Sequence, residues 1–141
     1  MSYATLQSLN DQFGEEAVRG ASDRDEDGVA DTGVIERALA LADGIIDSRI
    51  GVKYKLPLDL VPDVLISYAG DIAFYLLSGS PAQLTDEKRV RYTDALKWLD
   101  QIASGKAVLD GVAAPKTKTA VGIRMIAGEH EFTRSNLRGI L

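Results

Sequence analysis

Apolar residues recur every three or four positions in four stretches of the chain, and this spacing predicts four helices. The first is short: Thr5 caps Leu6 to Phe13, Leu6, Leu9 and Phe13 share a face, and Gly14 ends it. Glu15 to Arg19 read as a short turn continuing it. The second runs from Val34 to about Arg49 behind a cap at Thr32, with Ile35, Ala38, Leu39, Ala42, Ile45 and Ile46 on the buried side. Pro62 sits where a first helical turn tolerates proline, and Val64 to Leu77 are apolar on most sides, which predicts the central, most buried helix. Thr85 caps the fourth, Asp86 to Ser104, whose stripe is Tyr92, Ala95, Leu96, Leu99, Ile102 and Ala103. Trp98 lies at the edge of that stripe, and Gly105 is placed for a C-terminal cap.

Between these helices the pattern breaks. Residues 20–33 carry five carboxylates and almost no apolar side chain, so they predict an exposed loop with nothing to give to a core. Val52 to Leu58 cannot be helical through Pro57 and read as an extended connector anchored by Tyr54 and Leu56. Ser78-Gly79-Ser80-Pro81 is a break. After Gly105 the composition turns to Gly, Ala, Pro, Lys and Thr, and residues 120–127 alternate through Val121, Ile123 and Met125 as one strand would. A lone strand leaves its backbone groups unpaired unless a neighbour's edge completes the ladder, so this tail reads as an assembly arm. The expected fold is mainly α: a four-helix bundle-like domain over residues 1–105, then an extended C-terminal arm, 106–141, containing one or two short strands.

Charge sharpens that division. Residues 1–105 hold 10 basic and 18 acidic side chains, a net of −8, whereas 106–141 hold 6 and 3, a net of +3. An acidic body argues against a duplex-binding face, which needs clustered cations; the longest basic cluster, Lys88-Arg89-Val90-Arg91, reads as a solvated helix face. With no cysteine in the chain, disulfides, thiolate metal sites and cysteine nucleophiles are excluded. No segment approaches the roughly 20 apolar residues of a membrane span, and the first residues lack a basic then apolar leader, so a soluble, unsecreted protein is expected.

Two places carry candidate chemistry. Asp23, Asp25, Asp27, Gly28 and Asp31 fall at places 1, 3, 5, 6 and 9 of a calcium loop, where alternating carboxylates wrap a hard cation. Place 12, which should supply a bidentate acid, is Val34, and the same residues also read as a solvated acidic turn. In the tail, Phe132, Arg134, Leu137 and Arg138 combine an aromatic, an aliphatic and two guanidinium groups, a set suited to anchoring in a partner's acidic-rimmed pocket. His130, the one histidine, sits between two glutamates as a surface residue. Ser78 and Ser80 lie in a helix-ending loop with no assignable base, so no catalysis and no cofactor are expected beyond the candidate Ca2+.

Several short runs, taken in order, resemble one family: Tyr3-Ala4-Thr5, the acidic loop, Tyr54-Lys55-Leu56-Pro57-Leu58, Asp71-Ile72-Ala73 with Tyr75-Leu76, Arg91-Tyr92 with Asp94-Ala95-Leu96-Lys97, and Phe132-Thr133-Arg134. They resemble the neck proteins of Mu-like phages and prophages, similar to the head–tail connector (adaptor) proteins of other long-tailed phages. The resemblance implies a non-enzymatic virion protein of the head–tail neck, made in the host cytoplasm. It further implies a ring, expected to hold twelve copies, docked beneath the portal protein and offering a surface to a stopper or tail-terminator protein. DNA would pass through the channel without specific binding, past acidic walls that repel phosphate. Two other classes stay open on the residues: a calcium-binding helical interaction module, and a small DNA-binding regulator, which lacks a basic recognition helix.

Overall fold

The computed structural model describes residues 1–113. Its elements are α1 (Leu6–Phe13), α2 (Glu15–Ser22), α3 (Thr32–Ile50), α4 (Asp63–Leu77) and α5 (Asp86–Ser104). The fold is mainly α, and among the described residues there is no strand. The strand expected over 120–127 lies outside the described residues, as do His130 and the candidate anchors Phe132, Arg134, Leu137 and Arg138.

Helices α3, α4 and α5 pack against one another, while α1 and α2 both close on α4. α4 is the centre, as its apolar circumference requires: Leu65, Ala69, Ile72, Ala73 and Leu77 are wholly buried. Ile35, Ile46 and Ile50 of α3 and Ala95, Leu99 and Ile102 of α5 supply the opposing faces. Local signals set the ends. Thr5 and Ser8 form a reciprocal capping box at α1, and the Thr85 hydroxyl accepts the Lys88 amide at α5. Gly105, at φ +80, takes the left-handed position that ends α5.

Three expectations about the helix ends need correction. The turn after Gly14 is a separate helix: Gly14 adopts φ +88 and ψ 142, a conformation almost confined to glycine, which breaks the axis so that α2 starts afresh with Glu15 and Glu16 at its positive end. α2 then runs into the segment expected to be all loop, and Ala21 and Ser22 are buried there. Side chains this small are buried by what packs over them, not by their own hydrophobicity. Thr32 is the first residue of α3 rather than its cap; Asp31 holds the cap position, and its carboxylate accepts the Arg24 amide.

Both ends of the described chain are tied to the bundle. Tyr3 and Ala4 are buried along α3; the Tyr3 amide donates to Asp43 at 3.0 Å and its hydroxyl to Asp47. Burial and the two carboxylates push the Tyr3 phenol well above its ordinary pKa. The connector is a series of turns rather than extended chain, with Tyr54 buried and Leu56 partly so. Beyond Gly105, Leu109 is buried, and its amide donates to the Tyr54 hydroxyl at 3.0 Å, so residues 107–112 fold back on to the connector.

Candidate functional site

The acidic loop between α2 and α3 is ordered by its own carboxylates. Asp23 accepts the amides of Asp27 and Gly28 at 3.2 and 2.9 Å, and Asp27 accepts that of Val29 at 2.8 Å. The loop is bolted to the end of α4 by Arg24, whose guanidinium donates to the Leu77 carbonyl at 2.9 Å. That guanidinium lies over Gly79, where any Cβ would come within 1.9 Å of it. Asp23, Asp25 and Asp27 can bring one carboxylate oxygen each within 4.8 Å of one another. Partial desolvation, then the charges of Asp27 and Asp31, raise the Asp25 carboxyl above its ordinary pKa. Asp31 is turned to the Arg24 amide instead, and Val34 occupies the first turn of α3. The structure thus gathers three of the four candidate ligands.

On the far side of α2 lies a groove, a cavity of about 440 Å3. Its walls are small residues of α2 (Ala17, Gly20, Ala21), the stacked rings of Phe13 and Phe74, and Lys88 and Arg91 of α5. Lys88 Nζ stands 4.6 Å from the centre of the Phe74 ring, and the Arg91 guanidinium 5.8 Å from that of Phe13. Burial holds the Lys88 ammonium below its ordinary pKa. The Gln83 side-chain oxygen is buried at this groove without a hydrogen-bond partner among the described residues.

Beneath Arg91 runs a polar seam. Asp71, 9% exposed in the middle of α4, accepts from Gln12 at 2.9 Å and from Arg91 at 3.5 Å. Desolvation raises the Asp71 carboxyl above its ordinary pKa, and the Arg91 charge and hydrogen bond pull it partly back. Arg91 reaches Glu87 as well, at 3.2 Å. One turn along, Tyr75 stacks on Tyr92 with ring centres 4.1 Å apart, and Tyr68 meets Trp98. Neither the groove nor the seam was evident in the sequence. The signal available was a lone carboxylate inside an otherwise apolar helix, which requires a buried partner.

Ser78 does have an amine beside it, contrary to expectation: Lys88 Nζ lies 3.0 Å from its Oγ. Ser78 is buried, its hydroxyl donates to the Phe74 carbonyl, and it does not line the groove. The contact closes the end of α4 against α5 and is not a presented nucleophile. Among the described residues no helix is long and apolar enough to cross a membrane.

The chain is 32% identical to Gene product J of Escherichia phage Mu over 107 residues, 75% of this chain and 74% of that protein. It is 40% identical to the Mu-like prophage FluMu protein gp36 of Haemophilus influenzae over 75 residues, 53% of this chain and 52% of that one. The family described as Bacteriophage Mu, Gp36 matches residues 3–127, a span that takes in the acidic loop, the seam and the groove and stops short of Phe132. With nearly nine-tenths of its length inside that match, the chain belongs to the Gp36 family of bacteriophage Mu.

Proposed function

We propose that this chain is a non-enzymatic structural protein of the phage virion, a head–tail connector (adaptor) whose copies form a ring beneath the portal. Membership of a Mu phage family is the observation that carries the reading. The charge division supports it: net −8 over residues 1–105 and net +3 over 106–141 would let neighbouring copies attract one another while a shared channel repels DNA. Partners on this reading are the portal protein, a stopper or tail-terminator protein and further copies of the chain, with Phe132, Arg134, Leu137 and Arg138 as anchors. Peptide mass fingerprinting of purified virions should find the chain at several copies per particle, and gold-labelled antibody should mark the neck. A chain absent from intact particles would end this reading.

A second reading, a calcium-binding interaction module, is favoured by the gathering of Asp23, Asp25 and Asp27. It predicts heat on titrating Ca2+ into chelator-treated protein, lost in Asp25→Asn, and an affinity that weakens as acid protonates the raised Asp25 carboxyl. A flat calorimetric trace at millimolar Ca2+ dismisses it.

A further inference from the structure

We propose that the groove between α2 and α5 is the docking site for the acidic loop, residues 25–29, of a second copy of this chain, so that copies join head to tail. The inference rests on the connector reading above and supplies the contact by which its ring would close.

The groove is apolar at its floor, and its rim carries two cations, Lys88 and Arg91, against one carboxylate, Glu87. Ala17 and Gly20 are exposed, and Phe13 and Phe74 floor the cavity. Lys88 gives two of its three N–H groups to Ser78 and the Gln83 carbonyl, leaving one unused by those bonds. Arg91 shares its outer edge only with Glu87, in an ion pair with both side chains well exposed; such pairs are worth little and exchange readily for a better carboxylate.

The loop is the complement. Asp25, Glu26 and Asp27 are exposed, and no Lys or Arg among the described residues pairs with them. Val29, 63% exposed, supplies an apolar tip beside them. The internal amide bonds and the Arg24 anchor hold this shape before contact, which lowers the entropy lost on docking. Loop and groove also face apart. Ala17, Gly20 and Ala21 line the groove, while Glu15, Val18 and Arg19 lie with Gly28, Val29 and Ala30; at 3.6 residues per turn these are opposite sides of α2. A contact between two different patches repeats from copy to copy and closes into a ring when its rotation allows.

The absence of cysteine makes the test clean. Full-length Val29→Cys and Ala17→Cys proteins, both altered at exposed positions, are mixed and treated with a short bismaleimide; each is also treated alone, and thermal melting confirms that each is folded. The mixture is expected to give at least about tenfold more cross-linked dimer than either protein alone, falling with added salt as screening shortens the reach of the charges. Adding Asp25→Lys and Asp27→Lys to the loop partner should abolish the excess. Equal yields in all three samples, or an excess indifferent to charge reversal, would overturn the docking site. If native mass measurement still shows closed oligomers, the ring stands on another contact; the virion measurements above decide the connector reading separately.

Discussion

Leu99→Ala lowers the free energy of unfolding by about 2–5 kcal/mol, the range for removing a fully buried leucine from a core that cannot collapse around the gap. Leu99 has no exposed surface and lies on the side of α5 that meets α3 and α4. The truncation therefore empties the junction of the three long helices. In a domain of this size each kcal/mol moves the melting temperature by roughly 3–5 °C, so thermal denaturation should show a fall on the order of 10–20 °C. Leu41→Ala is the control: Leu41 is 54% exposed on α3, and its truncation should stay within about 0.5 kcal/mol of the parent. Similar small effects for both variants would mean that the three helices do not share one close-packed core.

Arg91→Ala has the second largest expected effect, and it depends on pH. The substitution leaves the Asp71 carboxylate buried with Gln12 as its remaining hydrogen-bond donor. Breaking a fully buried pair costs about 3–5 kcal/mol, but Arg91 is 46% exposed, so screening brings the expectation to about 1–3 kcal/mol at neutral pH. The Asp71 carboxyl is already raised in the folded protein, and losing the Arg91 charge raises it further. Between the ordinary carboxylate pKa and that raised value the folded state holds the proton more readily than the unfolded chain. Acidification through this interval therefore favours folding at this site. The deficit of Arg91→Ala should be greatest at neutral pH and shrink in acid, as read from urea unfolding at several pH values. In an Asp71→Asn background the same arginine substitution should cost much less, since no charge is left stranded. A deficit that ignores both pH and Asp71→Asn would assign Arg91 to packing over Phe13 alone.

Where the structure follows from sequence, the cause is local. α5 occupies Asp86–Ser104 as expected because Thr85 and Gly105 act within one turn of the ends they cap. α4 was recognisable as the centre because only a helix surrounded by others can be apolar on nearly every side. α2 was hidden for the opposite reason. Its stripe is Val18 and Ala21 between glycines, too weak to register until α4 and Phe13 are there to cover it. The candidate ligands Asp23, Asp25 and Asp27 were evident from alternate spacing, whereas the turn of Asp31 toward Arg24 depended on Arg24 reaching Leu77, 53 residues away. The Asp71–Arg91 contact joins two helices across 20 residues, and no periodicity reports which carboxylate faces which guanidinium.

The hydrogen bond from Leu109 to Tyr54 also sets a measure of distance. Residues 106–113 belong to the body's surface, so they contribute nothing to any span between this domain and a partner held further along the chain. Extended chain covers at most about 3.3–3.6 Å per residue, so roughly 26–29 Å is removed from the farthest point that Phe132 or Arg138 could touch. Tyr54 and the buried Leu109 together fix where the chain beyond residue 113 leaves the helical body.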